Sequence, residues 1–484
     1  MSSADSAPLA LDRPDLFIDG HWRAPRGGAQ TDVVEAATEQ VLGAAADATA
    51  ADVDDAVGAA RRALPGWAGL PIAARTDLLD RFAGELKARA RATAALSSRE
   101  NGMPIALSVG VNGYAPAMMV RYYADVIRNG AGDDVRASAL GTRTVVRHEP
   151  VGVVAAITPW NYPQSLAAMK IAPALAAGCT VVLKPSPETA LDAYVFADAA
   201  LAAGLPAGVL NIVPGGRETG AHLVEHPGVD KVAFTGSTPA GRAIGEVCGR
   251  LLRPVTLELG GKSASVILDD ADLDHVTARL ADVSLVNNGQ TCHACTRILA
   301  PRSRYDEVVD AVTETVAALR IGDPLDQATQ IGPLVTRAQQ RRVLDYIDIG
   351  VAAGHRLTTG GGVPDGVDTG WYVAPTVFAD VDNAARLAQE EIFGPVLTIT
   401  PYTDDAEAVA IANDSPYGLG GSVWTADEER GVAIADAIES GTVGVNHYAL
   451  DLGAPFGGVK ASGLGRELGP EGLVPYRRTK SIYL

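Results

Sequence analysis

The 484-residue chain has only four cysteines and eight histidines. Four thiols are too few to staple a chain of this length, which excludes a disulfide framework, and two of them, Cys179 and Cys248, stand singly among apolar or small residues. A reducing, cytoplasmic setting is the expectation. Basic residues are also in deficit: 40 Lys and Arg face 58 Asp and Glu, for a formal net charge of -18. Charge repulsion opposes nonspecific binding to nucleic acid or an anionic membrane, so neither is an expected partner. Long uninterrupted apolar runs are missing. Residues 165–183 come nearest to one, but Lys170, Pro173 and Gly178 break them and Pro163 precedes them, so no membrane span is expected. Met1-Ser2-Ser3-Ala4-Asp5 lacks a cationic start with an apolar core behind it, so no secretory signal is expected and residues 1–14 read as a loose tail. The remaining balance, 47% hydrophobic and 20% charged, is that of an ordinary globular protein large enough for two or three domains.

What is present is an alternation of short β-branched runs with Ala-rich segments. Residues 151–157, 180–183 and 209–213 read as strands, and residues 165–177 and 191–203 as the helices between them, the pattern of parallel α/β winding. Lys231-Val232-Ala233-Phe234 continues it into a turn at Gly236 and a helix near Pro239, where proline suits a first turn. A second α/β series follows Gly260-Gly261, a plausible hinge, and runs to about residue 442, with a strand at 264–268 and a helix at 273–285. Residues 142–148 alternate in strand fashion and are candidates to pair with residues 479–484 as a projecting arm. Residues 361–370 read as a surface loop.

Asn288-Gly289-Gln290-Thr291-Cys292-His293-Ala294-Cys295 places two thiols and a histidine close together. A structural zinc site would need about four ligands, and no second Cys or His pair exists in the chain, so no metal is expected. A thioredoxin-like redox pair would open a helix near the start of a small domain, which is not the position here. Two readings stay open from these residues alone: a pair of buried thiols acting as small hydrophobes, or a nucleophilic thiolate exposed in a polar, glycine-flanked turn.

Other segments narrow the choice. Pro159-Trp160-Asn161-Tyr162-Pro163, Lys184-Pro185-Ser186, Phe234-Thr235-Gly236-Ser237-Thr238, Leu257-Glu258-Leu259-Gly260-Gly261-Lys262, Gly289-Gln290-Thr291-Cys292, Glu391-Ile392-Phe393-Gly394-Pro395 and Pro455-Phe456-Gly457-Gly458, continuing to Gly465-Arg466-Glu467, occur in that order. Together they resemble the aldehyde dehydrogenase superfamily over nearly the whole chain. The resemblance implies an NAD(P)-dependent, hydrolytic enzyme that oxidises an aldehyde to a carboxylic acid through a cysteine thiohemiacetal and thioester. Cys292 matches the nucleophile and Glu258 the base that activates water. Asn161 matches the side chain of the oxyanion hole, in which each donor is typically worth about 2.7–4 kcal/mol. Lys170 and Glu467 match residues that relay a proton from the base, against the plainer reading of an ordinary surface or interdomain ion pair. Relatives that transfer the acyl group to coenzyme A generally lack the glutamate, so Glu258 favours hydrolysis. A protein that keeps the fold without its chemistry and a thiol hydrolase that needs no nicotinamide are competing readings.

The implied fold is α/β: a variant Rossmann-type nucleotide-binding domain (1–129 and 149–259), a second α/β catalytic domain (260–450), a small β oligomerisation arm (130–148 and 470–484) and a returning segment (451–469) lining the active site. Gly236, Ser237 and Gly241 follow a strand and open a helix, where free N–H groups and the helix dipole favour a pyrophosphate, with a looser glycine pattern than the usual fingerprint. The resemblance adds Thr158, Trp160, Lys184, Ser186, Leu259, Glu391 and Phe393 to the cofactor site, and Tyr162, Ser165, Met169, Val286 and Phe456 to the substrate pocket. NAD is the expected cofactor. NADP stays open, because Pro187 stands where many NAD-preferring relatives carry a glutamate, with Glu188 one step later. Gln164, Ser165 and Val286 raise the expectation of a roomier or more polar tunnel. Cys295 is a candidate disulfide partner of Cys292 under oxidation. A small-molecule aldehyde and a homodimer or homotetramer complete the expected partners.

Overall fold

Three of the chain's strands, Val153–Ile157, Thr180–Lys184 and Lys231–Thr235, are buried along their whole length. Such continuous burial is what a parallel sheet covered by helices on both faces requires. The computed structural model describes residues 11–130, 134–139 and 141–484. These strands belong to an eight-stranded sheet in the order Gly463–Leu464, Val255–Glu258, Lys231–Thr235, Val153–Ile157, Thr180–Lys184, Leu210–Ile212, Leu16–Ile18, His21–Arg23. The five central strands, Val255–Glu258 to Leu210–Ile212, run parallel, and the strands at both edges are antiparallel additions. Helix Pro163–Ala177 is buried at every residue, and Gly178, at φ 91°, ends it in the left-handed cap that glycine favours.

A seven-stranded sheet follows in sequence, in the order Arg356–Thr359, Thr376–Ala379, Val396–Tyr402, Arg297–Pro301, Ala264–Ile267, Gly421–Trp424, Gly444–Val445. It is parallel except at Arg356–Thr359. Buried Arg297 ties this sheet to its surroundings through four acceptors: the Lys262, Ile411 and Ala412 carbonyls and Asn383 Oδ1, all within 3.0 Å. A separate three-stranded sheet pairs Arg477–Tyr483 antiparallel with Arg143–Pro150, Thr479 opposite His148, and carries Asp134–Ala137 on its other side.

The expected arm strands therefore do pair, although residues 131–133 and 140 lie outside the described residues. Residues 1–10 of the expected loose tail also lie outside them, but its end is not loose: Asp12–Arg13 forms a parallel strand against Ala44 and Ala45. Among the described residues no helix is long and apolar enough to cross a membrane.

Candidate active site

The cysteine segment lies between helix Leu273–Ser284 and strand Arg297–Pro301, and its shape comes from three successive left-handed residues: Asn287 (φ 53°), Asn288 (φ 60°) and Gly289 (φ 74°). Asparagine is among the few side-chain-bearing residues that tolerate this region. Glycine is required at 289, where a Cβ would come 2.2 Å from the Gly394 carbonyl oxygen. Asn288 pins the turn by donating to the Gly102 and Pro333 carbonyls, both at 2.9 Å, and accepting from the Gly332 N–H at 2.7 Å. Gln290 Oε1 accepts from the Val335 N–H at 3.0 Å. The motifs did not point to Asn287 and Asn288 as supports, though two asparagines before a glycine are the signature of a left-handed run.

Across from this turn, the chain leaves strand Val153–Ile157 through Thr158-Pro159-Trp160-Asn161. Asn161 Nδ2 donates one N–H to the Gln290 carbonyl at 3.0 Å, which leaves its second N–H for a ligand. The Asn161 carbonyl is itself held by Asn101 Nδ2 at 3.2 Å and Asn287 Nδ2 at 2.9 Å. Tyr162 Oη and Thr291 Oγ1 share a 2.7 Å hydrogen bond between the same two segments. Asn161 and Cys292 both line one cleft of about 520 Å³.

Glu258 is the last residue of its strand and is 2% exposed, with neither carboxylate oxygen hydrogen-bonded. Gly457 makes room for it, since a Cβ there would come 2.6 Å from Glu258 Oε1. Burial first, and then the neighbouring charge of Glu467, push the carboxyl well above the usual carboxylate range, against the opposite pull of Lys170 and Arg466. Lys170, buried in helix Pro163–Ala177, donates to Glu467 Oε1 at 2.8 Å and to Thr235 Oγ1 at 2.6 Å. Both partners are buried, so Lys170 and Glu467 do not form a surface ion pair. Cys292 is half-buried rather than an exposed thiolate, and burial followed by the charges of Glu391 and Glu258 pushes its thiol up. Cys295 is fully buried and its thiol is pushed up to about 12 by desolvation.

On the other side of the cleft, Ser237 caps helix Thr238–Arg250, its Oγ accepting the Ala240 N–H at 3.4 Å. Gly241 lets that helix sit close to the sheet: a Cβ there would come 2.3 Å from Leu259 Cδ2. An open helix terminus at the carboxyl ends of parallel strands is where such folds bind dinucleotides. Glu391 accepts the Gly261 N–H at 2.9 Å, and burial raises its carboxyl to about 7. The indole of Trp160 and the ring of Phe393, the latter at φ 62°, meet edge to face at 5.3 Å. Gly260 and Gly261, the expected interdomain hinge, are close-approach positions: Cβ atoms there would meet Glu391 Oε2 at 2.5 Å and the Cys292 carbonyl at 2.2 Å.

The cleft brings together Trp160, Asn161, Gly236, Ser237, Leu259, Cys292, Glu391 and Phe393, and its volume, glycine-flanked helix terminus and aromatic wall suit a dinucleotide. Thr158, Lys184, Ser186 and Gly241 lie outside its immediate lining. Lys184 donates to the Pro185 carbonyl at 2.7 Å and burial lowers its ammonium to about 8, while the Ser186 hydroxyl bonds the Glu188 carboxylate. The motifs missed Gln339 and Arg342 of helix Arg337–Ala352. They clamp residues 391–393 through the Phe393 carbonyl at 2.8 Å and the Glu391 carbonyl at 2.5 Å.

Of the residues expected in the substrate pocket, Tyr162, Ser165, Met169, Val286 and Phe456, none is in the immediate lining of this cleft, and Ser165, Met169 and Phe456 are buried. Ser165 bonds the Val111 carbonyl, and Gln164 donates to the Asp192 carbonyl at 2.7 Å. The Val286 carbonyl accepts from Thr291, Met169 is 5% exposed, and Phe456 lies 5.9 Å from the His293 ring. Desolvation alone holds the His293 imidazole at about 4, hence neutral.

The aldehyde dehydrogenase family profile matches residues 22–482. The chain belongs to the aldehyde dehydrogenase family. A geranial dehydrogenase of Castellaniella defragrans is 53% identical over 98% of this chain and 100% of its own. An aldehyde dehydrogenase of Mycobacterium tuberculosis solved with NAD+ superposes with a TM-score of 0.96 at 46% identity, covering 98% of this chain and 99% of that one. A Pseudomonas syringae aldehyde dehydrogenase solved with NAD+ and octanal gives 0.95 at 40% identity, covering 99% and 98%. This aldehyde dehydrogenase is thus an NAD(P)-dependent oxidoreductase that oxidises an aldehyde to the acid. The family reaction passes through a cysteine thioester that water hydrolyses.

Proposed function

We propose that Cys292, Asn161 and Glu258 carry out this oxidation on an apolar aldehyde, and the observation that carries the reading is the meeting of Cys292 and Asn161 on one cleft, with the unpaired, buried carboxyl of Glu258 outside its immediate lining but near enough for its charge to act on Cys292. The Cys292 thiol gives up its proton to water in the cleft, its sulfur adds to the carbonyl carbon, and the oxygen that becomes anionic takes the free N–H of Asn161 and the Cys292 backbone N–H. Bound NAD supplies the hydride acceptor. Glu258 then removes a proton from the water that attacks the thioester, and Lys170 with Glu467 takes that proton onward. Lys184, Ser186, Gly236, Ser237 and Glu391 hold the dinucleotide, with Trp160 and Phe393 as its aromatic wall. Residues 1–129 and 149–259 form the cofactor half, 260–450 the catalytic half, and the arm strands join copies into a homodimer or homotetramer. The four free thiols suit a reducing cytoplasm.

The substrate reading follows from the internal bonding of Gln164 and Ser165, the neutral His293 and the apolar Met169, Val286 and Phe456. The geranial dehydrogenase relative supports a branched or unsaturated chain. Cofactor choice rests on Glu188, whose carboxylate stands near the Lys184 ammonium and disfavours an added 2′-phosphate. Reduced-cofactor formation over geranial, octanal, benzaldehyde and betaine aldehyde tests this. Geranial and octanal should exceed betaine aldehyde in kcat/KM by at least about ten-fold, and Glu188→Gln should raise use of NADP. A preference for the cationic aldehyde would refute the apolar pocket.

A further inference from the structure

The ion pair of Lys170 and Glu467 is one corner of a larger buried cluster. Lys231 donates to Thr256 Oγ1 at 2.7 Å and stands 5.1 Å from the centre of the Tyr476 ring. Tyr123, 0% exposed, enters from helix Ala115–Gly130, and Tyr476, 2% exposed, from the segment Pro470–Tyr476. Gly472 makes space for the first phenol: a Cβ there would lie 2.3 Å from Tyr123 Oη and 3.2 Å from the Glu467 carbonyl carbon. Glu467 is the hub, since its charge acts on Glu258, Lys231, Tyr123 and Tyr476 alike.

Five polar atoms of this cluster have no partner among the described residues: Tyr123 Oη, Tyr476 Oη, Glu467 Oε2 and both oxygens of Glu258. A buried hydroxyl without a partner destabilises a fold, and phenylalanine would remove that cost while filling the same space. Such a hydroxyl beside a buried carboxylate therefore calls for a role. The two phenols differ in what lies beyond them. Cys179 bonds the Tyr476 carbonyl, whereas Gly472, the glycine packed on the Tyr123 hydroxyl, follows directly on Glu471, an exposed residue.

We propose that Tyr123 is the next proton carrier after Glu467, passing the proton of the hydrolytic water from the buried carboxyls towards the surface at Glu471. The inference rests on the reading of Glu258 as the base. Water gives its oxygen to the acyl carbon and one proton to Glu258, which hands it to Glu467. The Tyr123 oxygen accepts that proton as its own phenolic proton leaves towards solvent, so the phenol ends unchanged and no electrons are exchanged. One water between Glu467 Oε2 and Tyr123 Oη would complete the contact and satisfy both atoms.

The test uses the full-length protein with NAD and octanal, resolving the first-turnover burst of reduced nicotinamide from the later hydrolysis of the acyl-enzyme, in light and heavy water. Tyr123→Phe should keep the burst and an equal or higher thermal midpoint, slow hydrolysis about ten-fold and enlarge its solvent isotope effect. Tyr476→Phe, which keeps the other ring, should leave hydrolysis within about two-fold. An unchanged hydrolysis rate and isotope effect in folded Tyr123→Phe would overturn the proposal, as would slowing confined to Tyr476→Phe. Glu258→Gln run alongside separates the two failures. If Glu258→Gln hydrolyses normally, the base assignment itself is wrong, whereas an arrested Glu258→Gln with a normal Tyr123→Phe removes only the relay.

Discussion

Replacing Glu258 with Gln isolates the hydrolytic half of the reaction. The amide fits the same slot against Gly457 and leaves Lys170 bonded to Glu467, so the cleft keeps its shape while the base is lost. A positioned general base contributes about 10²–10⁴-fold, or roughly 2.7–5.4 kcal/mol of barrier, and hydrolysis of the thioester should slow by that factor. Acylation should survive. Removing the carboxylate takes away one of the two charges that push the Cys292 thiol up, so ionisation of the thiol becomes no harder and the first turnover should remain complete. Rapid mixing with NAD and geranial should therefore show a burst near one reduced cofactor per site, followed by a near-halt, with intact mass locating one acyl group on Cys292.

The same substitution predicts a pH signature. Because burial raises the Glu258 carboxyl, wild-type hydrolysis should be weak below its folded pKa and grow as pH rises through it, and this limb should vanish in Glu258→Gln. Stability runs the other way. The folded state holds this proton more tightly than the unfolded chain, so its cost to wild type sets in above the unfolded value of about 4.3 and is complete above the folded pKa, and Glu258→Gln should gain relative thermal stability with rising pH. Unchanged steady turnover, or loss of the burst with the deacylation rate intact, would refute the reasoning.

Asn161→Ala should retain NAD binding but lose about 10²–10³-fold in the rate of the burst, since one donor to the developing oxyanion is removed. Gly241→Ala should raise the KM for NAD with little change in the rate of hydrolysis, because its methyl must displace Leu259 and with it the helix terminus at the pyrophosphate position. Arg297→Met should lower stability by at least about 3 kcal/mol in chemical denaturation, because four buried acceptors lose a charged donor together.

Much of the fold was legible because its signals are local. Val153–Ile157 and Thr180–Lys184 announce themselves by β-branched runs, helix Pro163–Ala177 by its alanine content, and the arm by the alternation that Arg143–Pro150 satisfies against Arg477–Tyr483. The supports of the nucleophile were much less so. Asn101, Asn288 and Gln339 act by bonding carbonyls far away in sequence, and nothing in their own neighbourhoods points to those partners. The bonds of Gln164 and Ser165 were illegible for the same reason: only the packed helices reveal that the Asp192 and Val111 carbonyls accept from them.

The sequence carried the reaction type through its resemblance to a known family, in whose motifs Cys292, Glu258 and Asn161 sit. Protonation states were beyond its reach. Burial raises the carboxyl of Glu258, holds His293 neutral and pushes the Cys292 thiol up, and each effect comes from removing water by residues supplied from distant parts of the chain. Desolvation is a property of the assembled interior, so the working state of the site is set by tertiary packing.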